Sequence, residues 1–156
     1  MHVRPLSPDD RQPLAKLLEA IDEFSPEEVS CALELADLAL SDRAGYRALI
    51  AEQDGQLAGY LNFGPTPLAA GTFDLYWIAT AVWARGHGAG RALVAAMEAE
   101  LKAERARLVR VETSSLNEYE PARTFYDRMR YQPIARIEGF YRPGDDLVVL
   151  AKRLDR

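Results

Sequence analysis

Cysteine is almost missing: Cys31 stands alone among 156 residues. It has no internal partner, so a disulfide-built scaffold is excluded. Histidine is nearly as scarce, with only His2 and His87, and these do not combine with Cys31 into a metal-ligand spacing, so no metal is expected. No apolar run lasts more than a few residues, too short for a helix that crosses a bilayer. Residues 1–10 hold Pro5, Pro8 and two acids around no apolar core, so no signal peptide is expected to begin here. Surplus positive charge is lacking as well. Twenty-four acidic side chains face 19 basic ones for a net charge of −5, which argues against a dedicated nucleic-acid binder. Repeats, low-complexity tracts and long linkers do not occur. What these absences leave is one domain over residues 1–156, expected to be soluble and cytoplasmic, with neither nucleic acid nor membrane as partner.

What is present is an ordinary globular mixture, 48% apolar and 28% charged, enough for a single core. Residues 2–6 read as an opening strand, stopped by Ser7-Pro8-Asp9-Asp10. Leu14, Leu17, Leu18 and Ile21 follow at helical spacing. Ser25, Pro26 and Glu28 then form an N-cap pattern for a second helix that runs through Val29, Ala32, Leu33, Ala36 and Leu40. Asp54-Gly55 is a hairpin signal joining strands 46–52 and 56–63. Pro65, Pro67 and Gly71 mark a loop before a β-rich run at 73–82. A helix from about Gly88 carries Leu93, Met97 and Leu101 in one stripe. Residues 108–113 alternate like a strand, 121–129 form a short helix, and strands 134–141 and 147–150 flank the turn Pro143-Gly144-Asp145-Asp146. The unit from 73 to 113 predicts a parallel crossover, and the hairpins around it make the sheet mixed. The fold class is α/β.

The most informative stretch is Arg85-Gly86-His87-Gly88-Ala89-Gly90-Arg91, between a strand and a helix. Alternate glycines clear side chains from a backbone that a ligand must approach closely. The helix that follows offers unpaired N–H groups and the positive end of its dipole, both suited to phosphate. A P-loop would need a lysine and a hydroxyl residue after the glycines, and neither is there. A dinucleotide fingerprint would need a third glycine where Arg91 stands, and a strand at the start of the chain rather than the fourth one. A glycine-rich turn with no ligand also fits this stretch taken alone.

Residues 75–90, from Leu75-Tyr76-Trp77 through Arg85-Gly86-His87-Gly88-Ala89-Gly90, resemble motif A of the GNAT N-acetyltransferase superfamily. Its pattern Gln/Arg-x-x-Gly-x-Gly/Ala is matched by Arg85, Gly88 and Gly90. Asn117, then Ala122-Arg123-Thr124-Phe125-Tyr126 and Arg130-Tyr131, are similar to the family's later helix. The order of elements matches across nearly the whole chain. Two positions depart: Val82 stands where the family usually has proline, and Arg130 where it usually has glycine.

The resemblance implies a GNAT-like fold: a mixed, mainly antiparallel sheet with a central parallel strand pair and flanking helices. It implies acetyl-CoA as co-substrate and no metal. The pyrophosphate would rest on the amides of Arg85, Gly86, His87, Gly88, Ala89, Gly90 and Arg91. Pantetheine would run along Ile78, Ala79 and Thr80, one N–H of that strand polarising the thioester carbonyl. Asn117 would contact the cofactor, or else merely form a turn before Pro121. Tyr126 matches the tyrosine that protonates the departing thiolate, although a tyrosine packed beside Phe125 has a structural reading too. Asp74 and Glu112 are the candidate bases, and each reads equally as a surface acid. The acceptor would be an amine, on a small molecule or a peptide; the acids of Ser25-Pro26-Glu27-Glu28 fit attraction of a cationic amine and fit a solvated helix start equally well. Dimerisation is common in similar proteins. The alternative is a non-catalytic acyl-CoA-binding sensor or accessory domain.

Overall fold

In the computed structural model, which describes residues 1–156, the chain opens with strand β1 (His2–Pro5) and helices α1 (Arg11–Glu19) and α2 (Pro26–Leu40). Strands β2 (Arg47–Gln53), β3 (Gln56–Pro65) and β4 (Thr72–Thr80) follow, then helix α3 (Ala89–Ala103) and strand β5 (Leu108–Ser114). Helix α4 (Glu120–Arg128) and the hairpin of β6 (Gln132–Arg142) and β7 (Asp145–Arg153) complete it. The sheet order is β1-β2-β3-β4-β5-β7-β6. All neighbours are antiparallel except β4 and β5. This is the expected mixed sheet with one central parallel pair.

Local signals hold where the sequence puts them. Ser25 Oγ accepts from the Glu28 amide at 3.1 Å, capping α2. Asp54 and Gly55 both take positive φ, 53° and 76°, as a two-residue turn between β2 and β3 requires. Alternation along β3 then assigns its faces. Asn62 donates to the Leu35 carbonyl at 3.2 Å and Tyr60 points its hydroxyl at Ala32, so these side chains face α2. Gly59 faces α3, where a Cβ would stand 3.0 Å from Leu93 and 3.5 Å from Ala89. Small residues here let helix and sheet approach closely. The core between the layers is built on Leu14, Leu18, Ile50, Leu61, Leu93, Val94 and Met97, all fully buried.

Some boundaries differ from the sequence reading, each for a reason. The run at 73–82 leaves the sheet after Thr80, because Val82–Ala84 wind into a 3-10 turn. Within β4 the register jumps from Asn62↔Trp77 to Phe63↔Leu75, which leaves Tyr76 as a bulge. Trp77 is the core-facing aromatic of the two, edge-on to Phe24 at 5.3 Å, whereas Tyr76 lies against Tyr46 at 5.4 Å. Asp145 and Asp146 are strand residues, not turn residues. They are buried and satisfied, Asp145 by Ser114 and Asp146 by the Gly139 amide at 2.8 Å and Arg136. Strand β6 is exposed along its whole length, with Ile134, Ile137, Phe140 and Tyr141 in solvent.

The feature that makes a site is a split sheet. Strands β4 and β5 pair at Thr72↔Leu108, Phe73↔Val109 and Asp74↔Arg110 and then separate. Beyond Asp74 the β5-facing edge of β4 has no strand beside it, while β5 continues along β7 to Ser114↔Leu147. Backbone donors and acceptors of β4 are left open in a wedge, available to an extended ligand.

Helix α4 ends in a closed C-terminal motif. The Tyr131 amide reaches back to the Tyr126 carbonyl at 2.9 Å, and the Arg130 amide to that of Asp127 at 2.8 Å. The rings of Tyr126 and Tyr131 meet at 5.8 Å. This double reach-back needs a left-handed residue between, usually glycine. Here it is Arg130 at φ 68°, strained by ~1 kcal/mol relative to glycine.

Candidate active site

The wedge opens onto the N-terminus of α3. Gly88 caps the helix at φ 88° and Gly86 precedes it at φ 79°, and a Cβ on either would meet nothing within 4 Å. Space here is clear for a ligand, and the conformation is one that side chains resist. The first helical hydrogen bond of α3 is Ala92 to the Gly88 carbonyl, at 3.0 Å. The amides of Gly86, Gly88, Ala89, Gly90 and Arg91 therefore have no partner in the protein. The amides of Arg85 and His87 are used in the turn, bonded to Val82 and Ala84. Gly90 has a second reason to lack a side chain: its Cβ would press at 3.3 Å on the Phe125 ring.

A cavity of about 1020 Å³ runs from this loop along β4, large enough for a sizeable cofactor. Ile78, Ala79 and Thr80 line one wall, and Arg85, Gly86, Gly88, Ala89, Gly90 and Arg91 form its floor. Phe125 and Tyr126 of α4 close the other side, with Ile21, Glu23 and Phe24 between α1 and α2. Most of the expected cofactor residues are thus brought together. Two are not. His87 is absent from the lining, and Asn117 borders a neighbouring groove of about 480 Å³ with Glu120 and Thr124.

Other wall residues carry no local signal in the sequence. Arg128 and Arg130 line the cavity from the end of α4, and Lys152 from β7. With Arg85 and Arg91 they make this cleft basic in an acidic chain, the acids on its wall being Glu23 and Glu118. Two of these cations are already engaged. Arg85 meets Glu23 at 3.3 Å, and a hydrogen bond from Glu23's own backbone, followed by that from Arg85, holds the Glu23 carboxyl below its usual range. Lys152 meets the buried Glu98 at 2.8 Å, and Glu98 also accepts from the Tyr131 hydroxyl at 3.1 Å.

Tyr126 is 5% exposed, yet it belongs to the cavity wall. Its hydroxyl has no hydrogen-bond partner in the protein, and the only fully sealed, unpartnered polar side-chain atom is Asn62 Oδ1. The Tyr126 hydroxyl therefore still touches the cleft. Burial alone pushes its pKa well above the ordinary phenol value.

Asp74 and Glu112 lie elsewhere. Asp74 is 6% exposed and outside the cavity wall. Its carboxylate accepts from Arg110 Nε at 2.7 Å and Thr66 Oγ1 at 2.8 Å. Tyr76 is close too, and burial together with the Asp74 charge pushes that phenol up to about 12. Glu112 is exposed on β5, beyond the last parallel rung, with its carboxylate 3.5 Å from Arg110. Arg110 and Glu112 share one face of the sheet, being two residues apart on a strand. No group of three or more His, Cys, Asp or Glu is placed to hold a metal ion. No helix is long and apolar enough to cross a membrane.

Comparison with known proteins matches this geometry. The model of the acetyltransferase (GNAT) family matches residues 14–131. A solved structure from Desulfovibrio desulfuricans, assigned to the same family, is 37% identical with a TM-score of 0.92, covering 98% of each chain. A ribosomal-protein-alanine N-acetyltransferase from Brucella melitensis shares the fold at 19% identity and a TM-score of 0.78, over 98% of this chain and 99% of that one. An aminoglycoside 6′-N-acetyltransferase complexed with coenzyme A does so at 15% and 0.77, over 99% of this chain and 97% of that one. Comparison with curated proteins found no match.

Proposed function

The chain belongs to the GNAT acetyltransferase family, and from that premise we propose that it moves an acetyl group from acetyl-CoA to an amine by direct attack. The observation that carries this reading is the row of unpartnered amides at Gly88, Ala89, Gly90 and Arg91, beside the open edge of β4. Together they offer a pyrophosphate seat and a strand-like track for pantetheine. The residues present fit the ligand: the glycine floor is open, the wall is basic, and Ile78, Ala79 and Thr80 face the same cavity. Acetyl-CoA supplies the activated acetyl group; the protein supplies binding, orientation and proton handling.

In the proposed step the amine nitrogen attacks the thioester carbon, the C–S bond breaks, the amine gives up one proton and the thiolate gains one. An N–H on the open edge of β4 stabilises the carbonyl oxygen as it turns anionic. Tyr126 serves the departing sulfur. Its raised pKa keeps the hydroxyl protonated across the working range, as a donor requires. Full transfer from a phenol to a thiol of pKa ~8.5 is already uphill, and burial makes it more so. Tyr126 therefore acts as a hydrogen-bond donor that stabilises the departing sulfur and keeps its own proton, while the thiolate is protonated from solvent and the amine's proton leaves by a separate route.

For the amine's proton, Glu112 is the better of the two carboxylates, because it sits on the free part of β5 and is exposed. Asp74 is given a positioning role, since Arg110 and Thr66 already occupy its carboxylate. An amine acceptor is in keeping with the structural neighbours whose names describe ribosomal-protein alanine and aminoglycoside acceptors. The test is release of free thiol from acetyl-CoA against a panel of polyamines, amino acids and peptide N-termini. Amine-dependent release supports the reading. Acyl-CoA binding without release for any amine would mark a sensor instead.

A further inference from the structure

Three guanidinium groups on the cavity wall, those of Arg91, Arg128 and Arg130, have no carboxylate within ion-pairing distance. Arg91 belongs to the amide row and shares its anion. Arg128 and Arg130 stand apart from it, at the end of α4. A helix C-terminus welcomes cations on its own, which accounts for Arg128 in the last turn. It does not account for Arg130. That residue occupies the left-handed position of the closed C-terminal motif, where glycine fits at lower cost and where φ is 68°.

We infer that Arg128 and Arg130 form a second phosphate subsite, which takes the 3′-phosphate of coenzyme A. This rests on the acetyl-CoA reading above. Coenzyme A carries two separated anionic groups, and the α3 amides with Arg85 and Arg91 can seat only the pyrophosphate. A second anion then meets the opposite wall, where two guanidinium groups are free. The position is right for the far end of the ligand, because Arg128 also borders the neighbouring groove of about 480 Å³ and so marks where the cavity opens outward. The backbone strain at Arg130 fixes the direction in which its side chain leaves. The Arg130 guanidinium is exposed and unpaired, and its planar fork suits phosphate oxygens. Strain of this kind is retained where it serves binding.

The test is calorimetric titration of coenzyme A and of 3′-dephospho-coenzyme A into the wild type, Arg130→Gly and Arg128→Gln. The wild type is expected to prefer coenzyme A by about 10-fold or more, the usual worth of charge-assisted phosphate contacts. Arg130→Gly is expected to bring the two affinities within ~3-fold while leaving that for the dephospho form unchanged. Its melting temperature should rise by about 2–4 °C, since glycine relieves the strain, so loss of fold cannot explain loss of preference. Arg128→Gln should reduce the preference in the same sense. Equal binding of both ligands by the wild type, or a preference kept by Arg130→Gly, would overturn the subsite. So would an equal loss for both ligands, which would put these arginines on the pyrophosphate. Wild-type protein that binds neither ligand would overturn the acetyl-CoA reading itself.

Discussion

Arg110 donates from Nε to Asp74 Oδ1 at 2.7 Å across the last rung of the parallel pair, at the point where β4 and β5 part. The Asp74 side chain is 8% exposed and that of Arg110 36%, so the pair closes the vertex of the wedge. Asp74→Asn should cost about 1–3 kcal/mol, because the buried Asp74 side chain loses its charge-assisted hydrogen bond from Arg110, which keeps only the more distant Glu112 carboxylate. A fall of several degrees in melting temperature is expected, with the pH dependence of kcat/KM unchanged. A stable Asp74→Asn protein with an altered pH profile would return Asp74 to proton transfer.

Tyr126→Phe should keep the fold and the affinity for acetyl-CoA, since the ring contacts with Phe125 at 5.4 Å and Tyr131 at 5.8 Å remain. Turnover should fall by ~10²–10³-fold, the range for one preorganised hydrogen-bond donor to developing negative charge. Single-turnover measurement of thiol release is the direct check. Turnover within a factor of a few of the wild type would leave Tyr126 a packing residue.

Glu112→Gln removes a charge and keeps the size. Attack needs a neutral amine, so log(kcat/KM) should climb with pH until the acceptor or its base has lost its proton. If Glu112 relays that proton, the variant should be slowest near neutrality and converge on the wild type as pH rises toward about 9. A profile parallel to the wild type would assign the proton to solvent.

A stability prediction comes from β1. Asp10 accepts two hydrogen bonds from Arg4, at 2.7 and 2.8 Å, and one from the Ser7 amide at 2.7 Å. The Arg4 hydrogen bond, ahead of those from Ser7, lowers the Asp10 pKa from 3.8 to about 2. A depressed folded-state pKa gives stability that is present above the unfolded value and lost as pH falls through the folded one. The difference corresponds to roughly 2 kcal/mol. Asp10→Asn should therefore be less stable than the wild type by about that much at neutral pH. Denaturant unfolding should show the gap narrowing below pH ~4.

Much of this architecture is written locally. The Ser25 cap, the Asp54-Gly55 turn and the glycine loop before α3 are each set by a few neighbouring residues, and they appear where their chemistry puts them. The cleft wall is another matter. Lys152 reaches it because β7 pairs with β5, setting Lys152 opposite Val109. Arg110 captures Asp74 from 36 residues away. No local pattern announces either contact. The Tyr76 bulge is equally silent, since it arises from the register of β4 on β3. Asp145 and Asp146 look like turn residues until their partners Ser114 and Arg136 arrive from other strands. His87 sits within the glycine motif, yet its amide serves the turn, so motif membership alone overstates the contact surface.

The most direct test is calorimetric titration of acetyl-CoA into the wild type and Gly88→Asp, with circular dichroism to confirm that both are folded. Gly88 stands at φ 88° as the cap of α3, among amides that have no other partner. An aspartate there sets a carboxylate against the pyrophosphate in a backbone conformation it resists. Saturable binding by the wild type and a loss of at least ~100-fold in the variant is the expected result, the two penalties together exceeding about 2.7 kcal/mol. A folded Gly88→Asp protein that binds acetyl-CoA as tightly as the wild type would contradict the placement of the ligand on this helix.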